Sequence, residues 1–299
     1  MTKLLRACVF LLSHVPPKAG YQISRNIARL LRALDTDPAR TTRINLAVCF
    51  PDKDLPTRAA LALESLTQMV LLVFEFSYLV SWPKQRLLDQ ISEVQGRHLL
   101  DAAWQDERGI LILMPHFGHW ELMGTFLGEH YSFCALYDPP RMMALDSLMS
   151  TTRERHGGEM FPLNGGGLRR LMKVLRSGGL GLLLPDQVPA RGAGAVASTF
   201  FGQPVQSISL SHRIVQKTDP HVLMLTVARV IGREGIQYVA QLTELEGAGA
   251  GADAQTHVDA INRAIEAVVK QAPEQYQWEY KRFKRPPGEL GKHNIYRCQ

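Results

Sequence analysis

From Gly96 onward the chain alternates short apolar segments with helical stretches, and this alternation restricts the fold more than any other property of its 299 residues. The apolar segments cover 110–114, 133–137, 180–184, 222–230 and 236–242, each the length of a strand. Helical spacing falls between and after them at about 119–129, 141–155, 166–177, 205–217 and 255–271. Strands alternating with helices predict an α/β sandwich whose central sheet is mixed and mostly parallel, flanked by helices. In the last helical stretch Val258, Ile261, Ile265, Val268 and Val269 line one face. The GAGAGA run at 247–252 reads as a flexible connection, and no internal period suggests a solenoid.

Residues 1–95 have a different texture, helical throughout. The stretch 21–34 places Ile23, Ile27, Leu30, Leu31 and Leu34 on one helical face, with Arg25, Arg29 and Arg32 elsewhere around the helix. Such a basic amphipathic helix suits a membrane surface, and equally suits packing on the domain. Residues 69–82 are strongly apolar with Glu75 in their middle. They predict either a buried core helix or a lipid-facing one whose single carboxylate points inward. At the start, Lys3 and Arg6 flank an apolar run, Ala7 to Leu12, that Ser13, His14, Pro16 and Pro17 interrupt. That run is too short to span a bilayer and lacks a small-residue cleavage site, which leaves an interfacial anchor open. The expectation is one domain with an N-terminal helical, membrane-associating part over 1–95 and an α/β part over 96–299.

A net charge of +6 favours acidic partners: nucleic acid, anionic lipid headgroups or an acidic carrier protein. The basic residues do not interleave with aromatics on a recognisable module, so nucleic acid is not expected. Cys8, Cys49, Cys134 and Cys298 are scattered without metal-ligand spacing and read as reduced structural thiols.

Candidate chemistry concentrates in GILILMPHFGHWELMG, Gly109 to Gly124, where an apolar strand gives way to a helix. Strand ends of this kind commonly hold ligands in α/β proteins. His116, His119 and Glu121 cluster there. If Glu121 folds back to the His116 imidazole, it fixes the tautomer and stabilises the imidazolium formed when the ring takes a proton. No protein nucleophile lies nearby in sequence, so the proton would come from a substrate hydroxyl that attacks an activated acyl group directly. Free N–H groups at the helix N-terminus would help hold the developing negative charge. His119 reads as a supporting residue. Metal binding is disfavoured because H-E-x-x-H is absent and no further His or Cys cluster completes a site. Taken alone, H-x4-E is a weak pattern.

Several separated motifs add to it: NLAVCFP at 45–51, HFGHWELMG at 116–124, LPDQ at 184–187, TFFGQP at 199–204 and APEQYQWEYKRFKRPPGE at 272–289. Together they make the chain resemble the bacterial lipid A late acyltransferases, which belong to the lysophospholipid acyltransferase superfamily. The resemblance covers nearly the whole chain. It implies a glycerolipid-acyltransferase-like sandwich that moves a fatty acyl chain from acyl carrier protein to a hydroxyl of a lipid A precursor, without cofactor or metal. It further implies work at the cytoplasmic face of the inner membrane, through peripheral or N-terminal attachment. Carried over by residue, it makes His116 the general base and Glu121 its charged partner. Asp186 becomes a site-wall residue, with a cap or turn as its other reading, and Arg282 a contact for phosphate or carrier, with a solvated basic tail as its other reading.

Two departures bear on membrane attachment, which becomes peripheral in the first case, and on the acceptor in the second. The N-terminal apolar segment is broken where relatives usually span the membrane. The Tyr-Arg-Pro motif that many relatives carry is here Leu136-Tyr137-Asp138-Pro139-Pro140-Arg141, so the arginine is displaced to Arg141, or its role passes to Arg153 or Arg155. A different hydroxylated lipid, glycolipid or pigment precursor therefore stays open as acceptor. An acyl-thioesterase and a non-enzymatic lipid- or carrier-binding protein are the rival readings.

Overall fold

The computed structural model describes residues 2–138, 143–232, 235–288, 295 and 296. Four helices come first: α1 (Thr2–Ser13), α2 (Pro17–Ala33), α3 (Asp37–Cys49) and α4 (Leu55–Ser81). Proline in the first turn sets the entry of α2, α3 and α4, where its missing N–H costs no helical bond. Asp54 also caps α4 by accepting from the Thr57 N–H. A short α5 (Lys84–Leu88), β1 (Ile91–Gln95) and α6 (Arg97–Gln105) lead into the α/β part.

That part runs β2 (Ile110–Leu113), α7 (Met123–His130), β3 (Phe133–Tyr137), α8 (Met143–Arg155), β4 (Gly158–Pro162), α9 (Gly165–Arg176) and β5 (Leu180–Leu183). A hairpin of β6 (Ala195–Phe200) and β7 (Gln203–Ile208) follows, then α10 (Leu210–Thr218), β8 (His221–Ile231), β9 (Ile236–Glu244) and α11 (Ala254–Gln271). The seven-stranded sheet has the order β1-β9-β8-β2-β5-β3-β4, parallel except for the β8–β9 pair. The mixed, mostly parallel sandwich expected from the sequence is the one observed.

Strand β2 sits at its centre, and all four of its residues are buried. Ile110 and Ile112 face a core shared with Leu71 and Phe74 of α4, while Leu111 and Leu113 face a second core with Leu171 and Ile261. A parallel strand covered on both faces has to read as an unbroken apolar run. The hairpin β6–β7 was not expected. Its second strand, Gln203–Ile208, takes residues 205–208 out of the helix predicted from 205, so α10 begins at Leu210. Strands β1 and β4 were also missed; both are edge strands with partly exposed residues and no long apolar run.

Among the described residues, α4 is the one helix long and apolar enough to cross a membrane, yet half of its most apolar stretch is buried in the protein. It is a core helix with its carboxylate turned inward. Glu75 is fully buried, and Arg229 of β8 donates to it twice, Nε to Oε1 and Nη2 to Oε2, both at 2.6 Å. The Tyr238 hydroxyl adds a third bond at 2.9 Å. Burying a lone carboxylate would cost several kcal/mol, and this pairing offsets that cost. At the helix end, Tyr78 and Trp82 donate to the carbonyls of Val15 and Ser13, fixing the turn between α1 and α2.

Candidate active site

The register of two neighbouring strands creates the site. Leu113 of β2 lies opposite Leu183 of the parallel β5, so His116 and Asp186, each three residues past its strand, emerge side by side. Asp186 then grips His116 twice: the His116 backbone N–H donates to Oδ2 at 2.9 Å, and ring Nδ1 lies 2.7 Å from Oδ1. The Tyr276 hydroxyl also bonds Asp186. Asp186 is 3% exposed and the His116 side chain 14%, which leaves part of the ring open to the surface.

The loop after β2 is held from below. Phe117 bridges to Tyr276, the Gly118 N–H donates to the Gln275 carbonyl at 2.9 Å, and the His119 N–H donates to the Val227 carbonyl at 3.0 Å. The Phe117 N–H donates to the Pro115 carbonyl, and Gln277 returns a bond to the His116 carbonyl at 3.1 Å. Gly118 takes a left-handed conformation with φ 58°, and a Cβ there would collide with the Val227 carbonyl oxygen, so glycine is required. The backbone N–H groups of residues 116–119 are therefore all engaged. The helix expected to begin near His119 begins later: α7 starts only at Met123, after a 3₁₀ turn over Trp120–Leu122.

Burial works against a charged imidazole, but the adjacent Asp186 outweighs it and holds the His116 pKa above the ordinary value. Asp186 is held below the usual carboxylate range: burial opposes this, and the charge and hydrogen bonds of His116 prevail. With Nδ1 bonded to the carboxylate, a neutral ring keeps its proton there and presents Nε2 as the free base. The Gln187 side-chain amide lies 3.3 Å from Nε2, and the Trp120 ring stands edge-on with centroids 5.1 Å apart.

Glu121 does not take the place expected of it. Its carboxylate faces Arg153 of α8, accepting from Nε at 3.1 Å and from Nη2 at 2.5 Å. A guanidinium fork matches a carboxylate better than a single imidazole N–H does, and α8 brings one within reach. Glu121 still sits close enough for its charge to raise the His116 pKa, as a smaller influence than Asp186. Asp186, expected as a wall or cap residue, is thus the carboxylate that contacts the imidazole.

The remaining expected residues spread out. His119 is buried, with Nδ1 3.6 Å from Glu75, and burial pushes its pKa down to about 4, which keeps it neutral. Arg155 turns away from His116 and donates to the Val80 and Leu79 carbonyls at the end of α4, bordering a cavity of about 550 Å³ between α1, α4 and α8. Arg282 is neither a solvated tail nor an exposed anion contact. It is 2% exposed, donating to the Gln206 carbonyl at 2.7 Å and Ser207 Oγ at 2.8 Å, where it ties the β6–β7 hairpin to the C-terminal segment. Arg141 lies outside the described residues. Sequence reasoning also passed over Asn45, whose amide donates to the carbonyls of Trp278 and Tyr280 and so docks the NLAVCFP motif on the C-terminal segment. It passed over Glu279 as well, a partly buried carboxyl beside the site that burial pushes up to about 7.

A mixed α/β sandwich with a carboxylate-held histidine at the carboxyl end of its central strand is a protein equipped for proton transfer to and from a bound substrate. The chain belongs to the bacterial lipid A biosynthesis acyltransferase family, whose sequence model matches residues 2–285. It is similar to the lipid A biosynthesis palmitoleoyltransferase of Escherichia coli (strain K12), 27% identical over 248 residues covering 83% of this chain and 79% of the relative. It is similar also to the lauroyltransferase of the same organism, at 22% over 281 residues covering 94% and 90%. A Haemophilus influenzae lipid A biosynthesis acyltransferase matches at 24% over 235 residues, covering 78% and 72%. The expected family is the family found, and it makes the chain an acyltransferase.

Proposed function

We propose that this protein is a membrane-associated O-acyltransferase that moves a fatty acyl chain from an acyl thioester, supplied by acyl carrier protein, to a hydroxyl of a lipid A precursor. The observation that carries the reading is the His116–Asp186 pair, which offers Nε2 as a base beside an opening. Cys49 and Cys134 are buried and their thiols are pushed up by burial, so neither offers a thiolate nucleophile. Direct transfer follows. Nε2 takes the proton of the acceptor hydroxyl as its oxygen attacks the thioester carbonyl, and returns it to the departing thiolate. Asp186 holds the ring and stabilises the imidazolium between those steps.

Glu121 and Arg153 form the wall beside the base. The Arg153 guanidinium keeps Nη1 outside its two bonds to Glu121, a donor that could meet a phosphate of the acceptor. Two further features support work at an anionic bilayer. Leu4, Phe10 and Leu11 of α1 are more than half exposed, and Ile23, Ile27 and Leu30 of α2, with Leu34 just beyond it, form an exposed apolar stripe beside Arg29 and Arg32. The basic balance of the chain also suits an acidic carrier protein.

Mass spectrometry of lipids from cells with and without the gene tests the reading. Lipid A missing one acyl chain in the deletion strain is the expected result. Unchanged lipid A together with loss of an acyl group from another glycolipid or pigment would reassign the acceptor. Release of free fatty acid from acyl carrier protein at full rate without any acceptor would make the protein a thioesterase.

A further inference from the structure

The reaction proposed above builds negative charge on the thioester carbonyl oxygen, and that charge needs a hydrogen-bond donor. All four N–H groups of residues 116–119 are engaged, to Asp186, Pro115, Gln275 and Val227. Arg153 has committed Nε and Nη2 to Glu121. The side-chain amide of Gln187 is different. Its Nε2 stands 3.3 Å from His116 Nε2, the atom at which the acceptor hydroxyl must arrive. The residues on both sides of it are held: Asp186 through its carboxylate by two bonds with His116, and Val188 by its N–H donating to the Tyr280 hydroxyl at 2.9 Å. A donor with two N–H groups therefore stands at the reacting position between two held residues.

Resting on the acyl-transfer reading, we propose that Gln187 is a catalytic residue whose amide donates to the thioester carbonyl oxygen as it becomes an oxyanion. In the free protein the amide caps the lone pair of Nε2. The arriving hydroxyl takes that position, and the displaced amide needs to move by roughly one hydrogen-bond length, about 3 Å, to meet the carbonyl oxygen. The acceptor oxygen then forms its bond to the carbonyl carbon while its proton passes to Nε2, and the carbonyl π pair moves onto oxygen, where the Gln187 N–H holds it. Collapse restores the carbonyl, breaks the C–S bond, and sends the proton from Nε2 to the thiolate.

Steady-state kinetics of Gln187→Leu and Gln187→Glu, with acyl carrier protein thioester and a lipid A precursor, test this above the acid limb of the pH profile. Loss of one such donor lowers kcat by about 100- to 1000-fold. The Leu variant is expected in that range with KM within about threefold of wild type. The Glu variant keeps length and volume but places a carboxylate against the oxyanion, so its kcat is expected below that of the Leu variant. A role in spacing alone predicts the reverse order, because glutamate is the closer isostere. Thermal unfolding of both variants checks that each is folded. Wild-type kcat in the Leu variant, a loss confined to KM, or a Glu variant faster than the Leu variant would overturn the proposal. His116→Ala in the same assay separates the two layers. If it retains transfer, the acyl-transfer reading of the site fails; if it is inactive while Gln187→Leu is normal, only the role of Gln187 fails.

Discussion

The His116 ring and the Asp186 carboxylate, 70 residues apart in sequence, meet at 2.7 Å because each lies three residues beyond one of two adjacent parallel strands in register. The nearer carboxylate in sequence, Glu121, faces Arg153 instead. In the reaction proposed here the two acids do different work: Asp186 orients the base and stabilises its imidazolium, and Glu121 holds Arg153 beside it.

Replacing Asp186 with asparagine removes the charge that raises the His116 pKa while leaving the ring buried. Only the neutral ring accepts a proton, so activity climbs as pH rises through that pKa, which in the wild type lies above the usual value of about 6.5. In Asp186→Asn the acid limb is expected to move to lower pH while kcat falls by about 100- to 10,000-fold, since the amide no longer fixes the tautomer. A pH–rate profile of wild type and variant reads both effects. An unmoved limb with a small loss would return the partner role to Glu121.

Glu75→Gln tests the buried network behind the loop. It leaves the Arg229 guanidinium, itself 5% exposed, without its counter-charge. Breaking a buried pair from one side costs about 3–5 kcal/mol. Urea denaturation should show a loss of that size, with activity falling in step with the unfolded fraction. A loss below 1 kcal/mol would mean that water reaches the network.

Glu279 gives a pH signature in stability. Burial lifts its carboxyl to about 7, above the unfolded value near 4.3, so the folded state favours the protonated form. The sign follows from linkage: as pH rises from about 4.5 to 7 the unfolded chain gives up this proton first, and the folded protein loses stability on that account. Glu279→Gln has no such penalty. At pH 8 it should be more stable than wild type by about 1–3 kcal/mol, with the difference vanishing near pH 4. Parallel denaturant curves at the two pH values measure it, and a variant equally stable at both would show that Glu279 is solvated.

The sequence carried the central strand plainly, because β2 is covered on both faces and has no polar position to interrupt ILIL. Most helices of the α/β part were legible for a related reason, each burying one stripe, although α6 was not expected and α7 and α10 begin later than their spacing suggests. The hairpin β6–β7 was not legible: AVASTF has small and polar residues, and its hold on the body comes from distant residues, Asp259, Asn262 and Glu266 of α11 and Arg282, which reaches Gln206 from 76 residues away. Arg282 reads as an anion contact or a solvated tail because it stands in a basic run, although the adjacent Phe283 is buried with it. The cluster at His116 was found from spacing, but its partner was not. Spacing favours Glu121, five residues on, while contact depends on which strands are neighbours. The available signal was an acid three residues past an apolar strand in LLLPDQ, matching the histidine three residues past the strand in ILMPH.

The most direct test is acyl transfer by purified protein, with acyl carrier protein thioester as donor and a lipid A precursor as acceptor, comparing wild type with His116→Ala. A new ester in the acceptor is expected with wild type, and a loss of about 1000-fold or more in the variant, assayed well below the melting temperature measured for it. Turnover in His116→Ala within tenfold of wild type would contradict it.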